Sequence, residues 1–211
     1  NVKILHSEAF EGCTELKTVK LNGSFLDIRD ETFKDCTSLT TVILRDNAQY
    51  NIGKRAFQNC DSLSDLSWFS RVSTIGQGAF EGCDGIEEIN MPDTVDYIYS
   101  EAFANCSQLK KVNIGYNLKS IGKDAFSGCP INEFVVDNEM VSYVEQVFSQ
   151  EAEALTIYGW LESSTETYAK ENGYTFKAYT PSLTNVVAES KGIHVYWEAF
   201  PRETTYEVYR S

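Results

Sequence analysis

Six cysteines are the side chains of this chain best equipped for chemistry: a thiolate can hold zinc, attack an electrophile or close a disulfide. They are Cys13, Cys36, Cys60, Cys83, Cys106 and Cys129, and successive pairs lie 23, 24, 23, 23 and 23 residues apart. That spacing offers no Cys-x-x-Cys half of a zinc site. The two histidines, His6 and His194, have no Ser or Cys at the spacing of a known nucleophile and base. No phosphate-cradling glycine loop, HExxH helix or EF-hand loop is present. Glu87/Glu88 and Asp93/Asp96 are carboxylate pairs, but among 31 acidic residues they read as solvated surface. The expectation is a chain that is not an enzyme, with no metal and no cofactor. Asn22-Gly-Ser24 and Asn105-Cys-Ser107 match the glycosylation sequon, although Asn105 sits beside a core cysteine.

The cysteines recur because a larger unit recurs. Each is preceded by a small residue, Phe and two further residues, in the pairs Phe10/Cys13, Phe33/Cys36, Phe57/Cys60, Phe80/Cys83, Phe103/Cys106 and Phe126/Cys129. Three residues after Cys comes an aliphatic (Leu16, Leu39, Leu63, Ile86, Leu109). Six and eight after come pairs such as Val19/Leu21, Val42/Leu44, Leu66/Trp68, Ile89/Met91 and Val112/Ile114. Alternation at those two sites predicts a short strand with one face inward. Ile131, Phe134 and Val136 fill the same places in a sixth unit. Leu5, Ile28, Ile52, Ile75, Ile98 and Ile121, four before the small residue, mark a second, shorter extended segment. A period in the twenties means a solenoid whose units bury their apolar side against one another.

Stacking also decides how the thiols are read. Equivalent residues of neighbouring strands lie ~4.8 Å apart with parallel Cβ vectors. A disulfide prefers Cβ atoms ~3.5–4.5 Å apart. Free, buried thiols acting as small hydrophobes are therefore expected. The residue after the recurrent Ile is Gly53, Gly76 or Gly122 in three units and His6, Arg29 or Tyr99 in the others. A position demanding positive φ would not accept Tyr or Arg cheaply, so glycine there reads as a convenience.

These residues resemble the BspA-like leucine-rich repeats, whose unit runs Cys-x-x-Leu-x-x-Val-x-Leu and then Ile-Gly-x-x-Ala-Phe-x-x-Cys. The resemblance covers residues 1–136. It implies a right-handed leucine-rich-repeat solenoid, β-rich, of about six 23-residue units, in secreted or cell-surface proteins mainly of bacteria. It departs from the better-known leucine-rich unit, whose Asn ladder is replaced here by Ser24, Asn47, Arg71, Thr94 and Asn117.

Near residue 137 the period is expected to stop. Val141, Val144, Val147 and Phe148 fall on one helical face after Asn138. Leu155–Gly159 and Tyr174–Tyr179 read as strands, and Ser163 with Glu166 forms a capping-box signature before Gly173. Residues 137–180 are thus expected to be an α/β capping unit for the open end of the stack. Beyond Pro181, Leu183–Ala188, Ile193–Trp197 and Tyr206–Tyr209 alternate as three short strands. They resemble the first strands of a fibronectin type III domain, so 181–211 is expected to be a partial β-sandwich segment that ends mid-domain. The start at Asn1, already inside a repeat, suggests a fragment.

Function is expected to lie in surface. A net charge of −13 argues against nucleic acid, whose phosphates need a basic face, and no run approaches the ~20 apolar residues of a membrane span. On the strands, two outward rows form the candidate binding face: Thr18, Thr41, Asp65, Glu88 and Lys111, continued by Glu133; and Lys20, Ile43, Ser67, Asn90 and Asn113, continued by Val135. Neither row carries an aromatic cluster. Phe69, Tyr97, Tyr99 and Tyr116 are expected to be exposed elsewhere, with Tyr97, Tyr99 and Tyr116 forming a candidate aromatic patch for protein or glycan. The expectation is a binding module with an unidentified protein or glycan partner, host-derived ones included. Its alternatives are a structural spacer or an accessory region of a secreted enzyme.

Overall fold

The structure, a computed structural model, describes residues 5–21, 27–44, 49–149 and 154–179, together with the backbone of two strands at Ser182–Glu189 and Gly192–Glu198. The chain winds as a parallel β-solenoid of about six turns of roughly 23 residues. Each regular turn contributes one strand to each of two sheets and closes at the Phe–Cys corner, as the repeat predicts.

The first sheet holds β1 (Thr18–Leu21), β3 (Thr41–Leu44), β6 (Glu88–Asn90), β8 (Lys111–Ile114), β10 (Glu133–Val136), β12 (Thr156–Gly159) and β13 (Thr175–Ala178). The second holds β2 (Asp27–Ile28), β4 (Tyr50–Ile52), β5 (Val72–Ile75), β7 (Tyr97–Ile98), β9 (Ser120–Ile121) and β11 (Ser142–Tyr143). All pairings within both are parallel, and although the β4–β5 ladder shifts register between Tyr50 and Asn51, Ile28, Ile52, Ile75, Ile98 and Ile121 pair in turn as one inward column. Every one of these isoleucines is at most 1% exposed.

The corner builds a second column. Phe10, Phe33, Phe57, Phe80, Phe103 and Phe126 stack with centroids 5.2–5.4 Å apart. Each such ring pair is worth about 0.5–1.5 kcal/mol beyond its burial. Only Phe10, at one end, is exposed. Cys36, Cys60, Cys83 and Cys106 are buried and free, Cys129 is half-buried and Cys13 is exposed. Their role exceeds that of a small hydrophobe. Each Sγ from Cys36 to Cys129 donates to the Phe carbonyl of the preceding turn, at 2.9–3.2 Å. At Phe10, Phe33, Phe57 and Phe80 the same carbonyl also accepts the N–H of its own turn's Cys, as Phe33 O does from Cys36 N at 3.2 Å. Both lone pairs of a buried carbonyl are thereby used. Burial pushes the Cys36 thiol up to about 11, and the deeper Cys60 and Cys83 further still.

Left-handed backbone positions recur at this corner, one and five residues before Cys. Glu31, Asp35, Arg55, Asn59, Glu101, Asn105 and Asp124 all have φ of 52–61°. The glycines after the recurrent Ile have no such φ, as the tolerance of Tyr99 and Arg29 implied. They are nevertheless more than a convenience. A Cβ on Gly53 would lie 2.6 Å from the backbone of Arg29, and one on Gly122 would lie 2.4 Å from Ser100 N. Close approach of adjacent turns, not dihedral freedom, selects glycine there.

Three further expectations change. First, the third turn makes no strand in the first sheet: Ser67–Arg71 is a 3-10 helix, which splits the sheet into β1–β3 and β6–β13. It turns both Trp68 and Phe69 inward, 5% and 2% exposed. Trp68 packs on Phe57 at 5.4 Å, and Phe69 on Phe80 at 5.3 Å. A strand could send only one of two consecutive residues to the core; the helix buries two. Phe69 is therefore not exposed. Second, residues 141–148 are not helical. They supply β11 and a seventh corner, in which Val147-Phe148 stands where other turns have Ala-Phe. Phe126 N donates to Val147 O at 3.0 Å, and Phe148 continues the ring column at 6.1 Å from Phe126. Third, Val135 is 2% exposed although it lies in the outward row, between Asn113 and Tyr158 in the ladder.

Past the corner, β12 and β13 extend the first sheet and α1 (Ser164–Glu171) packs beside them. Ser163 caps α1 by accepting from Glu166 N at 3.2 Å, while the Glu166 carboxylate takes the N–H of Glu162 rather than that of the cap residue. Tyr143 and Tyr168 stack at 4.2 Å and tie α1 to the last strand of the second sheet. β14 (Ser182–Glu189) and β15 (Gly192–Glu198) form an antiparallel hairpin. The expected strand at 206–209 lies outside the described residues.

Candidate functional site

Two outward surfaces follow from the two sheets. On the first, Thr18 faces Thr41 and Lys20 faces Ile43 across β1 and β3. The row then breaks. Asp65 precedes the 3-10 helix and Ser67 begins it, with Asp65 Oδ1 accepting from Ser67 N at 2.9 Å. These two predicted face residues are exposed but are not part of a strand face. Beyond the break, Glu88, Lys111 and Glu133 lie in one row and Asn90 and Asn113 in the next.

This part of the face pairs with itself. Asn113 Nδ2 donates to Asn90 Oδ1 at 2.6 Å, and Asn90 Nδ2 donates to Glu88 Oε1 at 3.1 Å. Lys111 meets Glu133 at 3.0 Å, and that carboxylate raises the pKa of its ammonium. Lys177 lies over the Tyr158 ring at 5.5 Å. Side chains engaged this way must break a hydrogen bond before they can offer one to a partner.

The second sheet is different. Its outward positions flank the isoleucine column on both sides. Before the column they read Asp27, Asn51, Thr74, Tyr97, Ser120 and Ser142. After it they read Arg29, Gly53, Gly76, Tyr99, Gly122 and Val144. There each N–H from Gly53 onward donates to the isoleucine carbonyl of the preceding turn. Tyr97 is thus flanked by Thr74 and Ser120, and Tyr99 by Gly76 and Gly122. The two rings stand above a floor of small residues, 38% and 51% exposed, with centroids 6.3 Å apart. Lys119 pairs with Asp96 at 2.9 Å and places its ammonium 5.4 Å from the Tyr97 ring centroid. The structure brings Tyr97 and Tyr99 together. Tyr116 is exposed at 59% on the turn after β8, and among the described residues no ring contact joins it to that pair.

Sequence reasoning missed the other end of this surface. Asp27, Arg29, Asp30, Asn51 and Gly53 line an open hollow of about 370 Å³. Asn51 Nδ2 donates to Asp27 Oδ1 at 2.7 Å, Ser73 Oγ donates to Asn51 Oδ1 at 3.1 Å, and Asp30 Oδ1 accepts the N–H of Lys54 at 2.8 Å. The signal was in the register: positions one before and one after each recurrent Ile, read for all residue types rather than for aromatics alone.

The remaining chemical candidates have structural partners or lie apart. Asp93 Oδ1 accepts from Tyr116 N at 2.9 Å, and Asp96 is taken by Lys119. Glu87 and Glu88 are exposed, as is His6. Asn105 is exposed at a left-handed turn, with φ 61°. The side chain of His194 and the sequon at Asn22 lie outside the described residues. Among the described residues no group of three or more His, Cys, Asp or Glu is arranged to hold a metal ion, and no helix is long and apolar enough to cross a membrane.

Comparison with known proteins agrees with this geometry. The chain matches the BspA type leucine rich repeat region in six copies, over residues 1–92, 27–154 and 73–205. Among solved structures, a leucine rich repeat protein of T. pallidum is similar at 26% identity and TM-score 0.64, covering 81% of this chain and 77% of that one. A leucine rich cell surface protein of Faecalibacterium prausnitzii is similar in fold at 22% identity and TM-score 0.56. That match covers 88% of this chain but spans only 43% of the other protein's length. Among curated proteins nothing matches. With period, corner, sheet register and family match in agreement, this chain belongs to the BspA-type leucine-rich repeat family.

Proposed function

We propose that this chain is a non-enzymatic binding module of a bacterial secreted or cell-surface protein, engaging a protein or glycan through the solenoid surface. The observation that carries this reading is the second sheet: six strands paired in one continuous sheet around the isoleucine column, with Tyr97 and Tyr99 exposed above small neighbours. Solenoids present such ordered surfaces to partners, and exposed tyrosines on a rigid support bind at low entropic cost. The surface placement is supported by family membership and by the cell surface protein of similar fold. In this reading, residues 1–136 are the regular solenoid, 137–180 its C-terminal capping unit, whose first strand and corner (β11 and Val147-Phe148) continue the stack, and 181–211 a fibronectin type III-like segment, supported by the antiparallel pairing of β14 with β15.

The test is biolayer interferometry of the immobilised chain against purified extracellular-matrix proteins and a glycan array. At least one probe should bind at micromolar affinity or tighter, and binding should weaken in the Tyr97→Ala/Tyr99→Ala variant. A panel without any micromolar binder counts against the proposal. The self-paired Glu88–Asn90–Asn113 network supports a second reading for the first sheet, as the inert side of a spacer. Asn113→Trp should then leave every interaction unchanged.

A further inference from the structure

We infer that the second-sheet surface takes a neutral oligosaccharide laid along the solenoid axis, from the hollow at Asp27–Arg29–Asn51 to the Tyr97–Tyr99 pair. This rests on the binding-module reading and names its ligand class. The two ends are three strand steps apart, from β2 through β4 and β5 to β7, or about 14 Å at the usual strand spacing. Between the hollow and the tyrosines lie Thr74 and Gly76, a low floor of small and polar groups.

The chemistry at each end suits a sugar. A pyranose has hydroxyls that both donate and accept, and an apolar C–H face. The hollow offers acceptors from Asp27 and Asp30 and donors from Arg29 and Asn51. Asp27 and Asn51 are already oriented by the hydrogen bond between them. Among the described residues Arg29 has no salt bridge. At the other end the Tyr97 and Tyr99 rings offer π faces to C–H groups, with the phenol hydroxyls as polar edges.

Other occupants fit less well. A peptide strand needs an open sheet edge for β-augmentation, but along this surface from β4 to β9 each strand is paired on both sides. A folded protein partner gains most from a large apolar contact at the centre of its interface, whereas the residues between the two ends here are small and polar. A polyanion would meet Asp27, Asp30 and Asp96 on a chain of net charge −13.

Affinity electrophoresis and isothermal titration calorimetry test the inference. The neutral probes are cellohexaose, laminarihexaose, maltohexaose and mannohexaose; the anionic ones are polygalacturonate and heparin. At least one neutral hexamer should bind, and the anionic polymers should not. Tyr97→Ala/Tyr99→Ala should weaken that binding at least tenfold, Asn51→Ala several-fold, and Thr74→Trp should block the floor, each with the cooperative melting transition of the parent retained. Asn113→Trp on the opposite sheet should change nothing. The inference is overturned if no neutral hexamer binds with micromolar affinity, if an anionic polymer binds better, or if binding survives both the tyrosine and Thr74 variants. A protein ligand lost in the tyrosine variant, with no sugar bound, would sink the sugar assignment and leave the binding module standing. Loss of neither would remove both.

Discussion

The two sheets share one period and one core, yet they use their outer faces differently. The first is interrupted by the 3-10 helix at Ser67–Arg71, and beyond it Glu88, Asn90, Asn113, Lys111 and Glu133 satisfy one another. The second runs without a break through β2, β4, β5, β7, β9 and β11 and leaves two tyrosines and an arginine facing out. The second sheet pairs some of its groups too, Asn51 with Asp27 and Ser73 and Lys119 with the Tyr97 ring; what it adds is exposed aromatic surface at Tyr97 and Tyr99 that a partner can cover without breaking a hydrogen bond. Counting outward residues cannot separate these cases. Knowing what each one touches can.

The largest effect should come from the column both sheets rest on. Phe80→Ala removes a ring stacked on Phe57 and Phe103 and packed against Trp68 and Phe69, and should cost about 3–5 kcal/mol in urea unfolding. Phe10→Ala, at the exposed end, should cost less than half of that. Next comes the register of the second sheet. Gly122→Val forces a side chain against the backbone of Tyr99 and Ser100 and should cost about 1–3 kcal/mol. A neutral result there would mean that the turns can separate, and the contrast between a rigid and a broken sheet would lose its basis.

Alkali should act on the core rather than on either face. Thiols in the unfolded chain ionise near pH 9, whereas Cys36 keeps its proton up to about 11 and Cys60 and Cys83 beyond that. Between those values the folded state holds more protons, so stability falls as pH rises through the window and is intact below it. Thermal melts from about pH 8 to 10.5 should show the decline, and Cys60→Ala should flatten it. The smallest effects on stability belong to the faces. Tyr99→Ala should stay within about 0.5 kcal/mol of the parent, and Asn113→Ala should cost at most about 1 kcal/mol by freeing Asn90. Only the tyrosine change should alter binding.

Most of the fold was legible because a repeat states its pattern six times. The Phe, Cys and Ile columns, the two extended segments per turn and the free thiols could all be read from spacing. The misreadings fall where one turn departs from its siblings. Trp68-Phe69 offered two large residues in succession, and packing both inside outweighed strand pairing. Val147-Phe148 closed a seventh corner without the cysteine that marks the others, so its valines looked like a helix face. The cysteines were read as hydrophobes because a thiol's hydrogen bond depends on a carbonyl one turn away. On the surface, Tyr97 and Tyr99 were found because they flank an inward isoleucine; Tyr116 was grouped with them on sequence proximity alone. Asp27, Arg29 and Asn51 were passed over because each is unremarkable in its own unit.

What the residues dictate unaided is periodicity: a 23-residue recurrence of apolar and small side chains has few packed solutions other than a stack, since each unit can hide its core only against the next. What the three-dimensional arrangement alone decides is adjacency across turns. Whether Asn113 reaches Asn90, whether Gly122 clears Tyr99, and whether Arg29 stands free all depend on contacts between residues some 23 positions apart, set to within an ångström by how the turns settle on one another.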